Sequence, residues 1–103
     1  MELYINTEAA DDNLDEINNW IMICIEGSWA HSISAKRISK DTVEIITLEV
    51  GSNNNEGRGT ALVQKLFDEL PSEVKQVVLR TNDNPGWWSH IQSRIRGRAN
   101  LVL

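Results

Sequence analysis

Cysteine, tyrosine and phenylalanine each occur once in this 103-residue chain, and proline occurs twice. The single thiol, Cys24, excludes an internal disulfide, and its place in the run Trp20-Ile21-Met22-Ile23-Cys24-Ile25 points to packing. No apolar run is longer, and this one falls far short of the roughly 18–20 residues a helix needs to span a bilayer. The first residues are acidic and lack a basic stretch, so they do not read as a secretory signal. A cytoplasmic location without a membrane partner is the expectation. Residues 1–35 contain neither lysine nor arginine, and the net charge is −5. The overall basic footprint of a nucleic-acid binder is therefore missing. No group of His, Cys, Asp and Glu has the spacing of a metal site.

What is present suits one folded domain spanning 1–103: 41% hydrophobic residues and four tryptophans, in a length that supports one modest core. Charge is unevenly placed. Glu2, Glu8, Asp11, Asp12, Asp15, Glu16 and Glu26 crowd the front, whereas Arg80, Arg94, Arg96 and Arg98 lie toward the end. The acidic front reads either as a lure for a cationic partner or as the solvated face of a helix.

Taken in order, Met1 to Asn6 alternates as a short strand. Leu14, Ile17, Ile21, Cys24 and Ile25 share one helical face and predict a helix over 12–26 ended by Gly27, although the β-branched run keeps a strand open for 20–25. Trp29 to Ile38 alternates as a half-buried strand, Ser39-Lys40-Asp41 turns, and Thr42 to Val50 returns antiparallel to it. Leu62, Leu66 and Leu70, with Val63 and Phe67, make the apolar stripe of a helix over 60–70 stopped by Pro71. Gln76 to Thr81 is a third strong strand, expected parallel to Thr42–Val50 because a helix joins them. Asn84 as N-cap and Pro85 at N1 start a last helix with Trp88, Ile91 and Ile95 on its apolar side. Gly97 ends that helix, and Ala99 to Leu103 forms a final strand. The fold class is α/β (α+β), a mixed sheet in the order β-α-β-β-α-β-α-β.

The stretch that organises this order is Asn53-Asn54-Asn55-Glu56-Gly57-Arg58-Gly59-Thr60-Ala61, between a strand and a helix. Gly57 and Gly59 remove Cβ atoms that would hold a ligand off the backbone, and they permit φ > 0. The first-turn N–H groups and the helix dipole then favour an anion such as a pyrophosphate. Two glycines before a helix are more commonly an ordinary structural turn. A Walker loop is excluded because Gly59-Thr60-Ala61 holds no lysine, and a Rossmann loop because the loop is long and a third glycine is missing.

Glu56-Gly57-Arg58-Gly59-Thr60-Ala61 resembles the acyl-CoA-binding motif of the GCN5-related N-acetyltransferase (GNAT) family, Gln/Arg-x-x-Gly-x-Gly/Ala. It matches at Gly59 and Ala61 and departs at Glu56. The resemblance implies a compact GNAT-like fold, acetyl-CoA as cofactor, and Gly57, Arg58, Gly59, Thr60 and Ala61 on the pyrophosphate. In this family the strand before the loop parts from its parallel neighbour, and the acyl-pantetheine arm lies in the split. Backbone groups around Leu48, Glu49 and Val50 would bond that arm, and Asn84 is a further expected cofactor-binding residue. The implied activity is direct transfer of an acetyl group to a cationic amine, a protein lysine or a small polyamine. The other reading is an inactive member of the same fold that binds a partner protein, with oligomers open to it.

Amine attack needs a base, an oxyanion donor and, for the thiolate, an acid. Glu44 stands where protein-lysine members place a glutamate base, and its strand side is expected to hold Ile46, Leu48 and Val50. A surface acid at the strand edge is the plain alternative, and Glu49, expected on the opposite face, is the second choice. The family's tyrosine acid is missing, because Tyr4 lies in the first strand. Ser89 and His90 stand in the corresponding region, His90 equally readable as a surface residue. Trp87 and Trp88 are adjacent, so one should pack while the other covers the arm or an interface. Arg94, Arg96 and Arg98 suit a helix C-terminus, or a phosphate of the cofactor.

Overall fold

The computed structural model describes residues 3–6, 13–25, 28–50 and 57–103, with residues 3–6, 25 and 28–30 described by their backbone only. The sheet is built outward from a hairpin. Strands β3 (Ser28–Arg37) and β4 (Thr42–Glu49) pair antiparallel across the Ser39-Lys40-Asp41 turn, as their alternation requires. Strand β2 (Trp20–Ile25) lies antiparallel to β3 and β1 (Leu3–Asn6) antiparallel to β2. On the other side, β5 (Gln76–Leu79) and β6 (Asn100–Val102) add parallel to β4 in turn. The mixed six-stranded sheet therefore runs β1-β2-β3-β4-β5-β6. Helix α1 (Arg58–Asp68) connects β4 to β5, and α2 (Pro85–Arg94) connects β5 to β6. Among the described residues no helix is long and apolar enough to cross a membrane.

The helix expected over 12–26 does not form, and the order is β-β-β-β-α-β-α-β. Residues 13–19 are irregular and 20–25 are strand β2; residue 12 and Gly27 lie outside the described residues. The core selects the strand. Ile21 and Ile23 alternate into it, 1% and 0% exposed, opposite Ala35 and Ile33 of β3. Ile17, expected on a buried helical face, is 52% exposed. Asn18 turns the chain with φ 76°, a conformation asparagine tolerates better than most residues.

Helix α1 buries the expected stripe of Leu62, Val63, Leu66 and Phe67, starting and ending about one half-turn earlier than its leucine spacing indicates. Helix α2 begins as expected. The Asn84 Oδ1 accepts from the Trp87 amide at 3.4 Å, and Pro85 occupies the first turn, where its missing N–H costs nothing. Both helices bury their apolar sides in one cluster with Ile21, Ile23, Ile33, Ala35, Val43, Ile45, Val77 and Leu101 of the sheet.

One end of this sheet is laced shut around Arg37, which is 2% exposed. All five of its N–H donors are used. Nε donates to the Ser39 carbonyl (3.2 Å), and the first terminal nitrogen donates to the carbonyls of Leu14 (3.1 Å) and Asp15 (2.7 Å). The second donates to the Lys40 carbonyl and to Glu73 Oε1 (3.3 Å). The irregular 13–19 segment, the β3–β4 turn and the approach to β5 are thus tied to a single guanidinium. Asp41 adds to the same end, its carbonyl accepting from the amides of Lys75 (2.7 Å) and Gln76 (3.1 Å). Its carboxylate accepts from Ser39 Oγ and Thr42 Oγ1.

Because these bonds replace those to water, Arg37→Met should cost about 3 kcal/mol or more in urea unfolding. Arg37→Lys should restore only part of that, since an ammonium cannot reach five carbonyl and carboxylate sites in a fork. The Ser39 hydroxyl first, then that of Thr42, holds the Asp41 carboxyl below its ordinary value of 3.8. The folded value being the lower one, this contribution is complete above 3.8 and disappears as pH falls through the folded value. Asp41→Asn should therefore lower Tm at neutral pH and leave it nearly unchanged in acid below that range, which calorimetry at the two pH values checks.

Candidate functional site

The other end of the sheet is open, and a bulge in β4 lies at the point of opening. Ala35 pairs with Ile45 and Ser34 with Thr47, so Ile46 is an extra residue without a partner on β3. Such an insertion bends a strand and increases its twist. Pairing of β4 with β5 stops at the same point: it runs from Thr42↔Gln76 to Ile45↔Leu79, and the Arg80 amide makes a last bond to the Ile45 carbonyl at 3.0 Å. Beyond it β4 continues to Glu49 with β3 alone, while the chain after Leu79 turns away toward α2.

The parting leaves a cleft of about 380 Å³. One wall is Ile45 to Val50; the other is Thr81, Asp83, Asn84, Trp87 and Trp88. A second cleft, about 530 Å³, opens at the mouth of α1 between Val50, Gly57, Gly59 and Thr60 on one side and Asn84, Trp87, His90 and Arg94 on the other. Val50, Asn84 and Trp87 belong to both, so the two spaces meet at the Trp87 indole. Each volume lies in the range of about 300–1,000 Å³ typical of small-molecule sites.

The mouth of α1 has the features expected from its glycines, but they divide the work differently. Gly57 sits at the N-cap with φ 82°, and a Cβ there would meet nothing of the described residues within 4 Å. Among the described residues no side-chain hydrogen bond caps the helix. Gly59 is helical and buried. A Cβ on it would lie 2.6 Å from Trp87 Cζ2 and 3.1 Å from Cη2, so its bareness makes room for the indole rather than for a ligand. Trp87 in turn meets Trp88 edge-on, with centroids 4.9 Å apart and planes at 84°. Trp88 is the packed member of the pair, 7% exposed.

Of the residues expected at the site, Leu48, Glu49 and Val50 line the first cleft, Gly57, Gly59, Thr60 and His90 the second, and Asn84 both. Arg58 and Ala61 line neither, and the Ala61 amide is used by the first helical bond to the Gly57 carbonyl (2.9 Å). Ser89 is exposed outside both clefts. Glu56 and Asn53 to Asn55 lie outside the described residues.

Glu44 is not where an apolar strand side would put it. The bulge shifts the alternation, so that Glu44, Thr47 and Glu49, opposite Lys36, Ser34 and Ser32, share one face. The carboxylate of Glu44 accepts from Arg80 Nη2 at 2.9 Å and Nε at 3.2 Å, and it lines neither cleft. Glu49, expected on the opposite face, is on the same face and does line the first cleft.

Asp83 was not singled out for these clefts by sequence reasoning, whereas Arg94, expected at a helix C-terminus or on a phosphate of the cofactor, lines the second. The signal was there for Arg94: Trp87, His90 and Arg94 stand at i, i+3 and i+7, one face of a helix. Charge separates along the site. Among the described residues, the first cleft is lined by Glu49 and Asp83 and no basic residue, the second by His90 and Arg94 and no acid. With the positive end of the α1 dipole, the second cleft is suited to an anion.

If the indole fills the space over Gly59, Gly59→Ala should destabilise the wild-type background by about 1–3 kcal/mol through overpacking. In a Trp87→Ala background the same change should become neutral or stabilising, since alanine is the better helix former. Equal effects in both backgrounds would break the link. Comparison with protein-family models, with curated proteins and with solved structures finds no match for this chain.

Proposed function

We propose that the chain is a small acetyl-CoA-dependent N-acetyltransferase that acts on a cationic amine, a protein lysine or a small polyamine. The observation that carries this reading is the early end of β4–β5 pairing, which opens a cleft beside β4 that meets a second cleft at the mouth of α1. An elongated ligand with an extended amide-bearing arm and an anionic head fits that succession. The bare backbone at Gly57, with the amides of Gly59 and Thr60 and the side chains of His90 and Arg94, would hold the phosphates. Leu48, Glu49 and Val50 would align the arm along β4. Acetyl-CoA supplies, when bound, an acyl group already activated as a thioester.

The remaining chemistry is proton transfer. An ammonium must lose a proton before its nitrogen can act as a nucleophile. Glu49, exposed and in the cleft, is better placed to accept that proton than Glu44, whose carboxylate is engaged by Arg80. Water is the remaining route to protonate a leaving thiolate, because Ser89 lies outside both clefts and His90 belongs to the phosphate side.

The engagement of Glu44 and the position of Ser89 also favour a second reading: a GNAT-like fold that binds acyl-CoA or a partner protein without turnover. Saturating acetyl-CoA, at a hundredfold excess over Kd, should stabilise the protein by about 2.7 kcal/mol, on the order of 10 °C in Tm for a domain of this size. Arg94→Glu should weaken binding about tenfold. Absence of any shift with acetyl-CoA would overturn both readings. Thiol release with an amine panel then separates them, release marking the enzyme and a silent, stabilised protein the binding module.

A further inference from the structure

We propose that the cleft beside β4 is a binding site for an organic cation, a small alkylammonium group. The inference deepens the reading above by naming the residues that would hold the amine, but the binding itself does not depend on acyl-CoA.

Four side chains carry it. Glu49 comes from β4 and Asp83 from the turn after β5, so one acidic residue lines the space on each of its two walls. Neither has a hydrogen bond or an ion pair among the described residues, in contrast to Glu44, Asp41 and Glu73. Trp87 and Trp88 line the same wall as Asp83, with ring planes at 84° and centroids 4.9 Å apart, a corner of two indoles. Indole faces attract cations through their quadrupole, and the attraction grows where water is partly excluded, as it is beside the buried Trp88. Among the described residues, no lysine, arginine or histidine lines this cleft to compete for the carboxylates. The chain's net charge of −5 adds a long-range attraction of the same sign.

Size sets the ligand class. About 380 Å³ takes a trimethylammonium or a primary alkylammonium group with a short chain, and an inorganic cation would leave the indoles without a function. Isolated sodium or magnesium ions are also poorly matched to two carboxylates on separate walls. A neutral ligand of the same shape could use the apolar surface of Ile46, Leu48 and the indoles, but not the two charges.

Choline and its neutral isostere 3,3-dimethylbutanol distinguish the two contributions. Both are titrated at constant ionic strength, following the indole N–H signals of Trp87 and Trp88 by NMR. Choline should bind about tenfold or more tightly than the alcohol. Glu49→Gln with Asp83→Asn, isosteric changes at exposed positions, should reduce choline binding to the level of the alcohol. The proposal is overturned by no choline binding, by equal binding of the two probes, or by binding that the double variant leaves unchanged. Acetyl-CoA affinity is measured on the same two proteins. Acetyl-CoA binding without choline binding defeats this proposal alone, and choline binding without acetyl-CoA binding defeats the acyl-transfer reading alone.

Discussion

A guanidinium almost sealed from water holds one end of the sheet. Transferring a charge from water is expensive, and Arg37 remains buried because each of its donors meets an acceptor, drawn from three segments of the chain. The 13–19 segment has no regular structure to keep it in place, yet Leu14 is wholly buried; its carbonyl and that of Asp15 are where Arg37 binds. At this end β3, β4 and β5 have no freedom to separate. The gap between β4 and β5 at the other end can then exist without the sheet coming apart.

The gap has its own local cause. An antiparallel pair and a parallel pair meet on β4, and the extra Ile46 interrupts the first at the point where the second ends. The Arg80–Glu44 ion pair stands at the last joined rung, its arginine half-exposed and its contribution correspondingly small. A bulge placed there does two things together: it opens a cleft, and it moves Glu44 out of the apolar row and onto the polar face. Expectations for the cleft and for Glu44 are thus linked, and the feature that favours a ligand beside β4 is the one that withdraws the anticipated base.

Trp87 divides the open end into two electrostatic compartments. On the α1 side are helix amides, His90 and Arg94; on the β4 side are Glu49 and Asp83. A ligand crossing the site passes from a region suited to anions to one suited to cations, which is the polarity a phosphate-bearing donor and an ammonium acceptor would require. The indole keeps its place because Gly59 carries no side chain. The glycine loop, read along the sequence as a cradle, is in the folded chain also the bed of an aromatic ring.

Much of the fold was legible from short-range patterns. Strands β3, β4 and β5, the turn at Ser39-Lys40-Asp41, the stripe of α1 and the Asn84-Pro85 start of α2 each follow from propensity, period or capping within a few residues. Strand β2 did not, for a definite reason. Ile17, Ile21 and Ile25 recur every four residues, a spacing compatible with both a helix and a strand, and only the vacant place beside β3 decides between them. The bulge at Ile46 is a relation between two strands, so no property of β4 alone records it. Arg37 reads as one more charged residue near a turn until Leu14, Asp15 and Glu73, all distant in the chain, join the turn carbonyls around it. The sequence by itself determined which segments extend, which coil and where glycine bares the backbone, because those choices are made by neighbouring residues. Only the tertiary structure decided which strand pairs end early, which carboxylate faces the cleft and which indole rests on Gly59, because those depend on contacts between residues far apart in the chain.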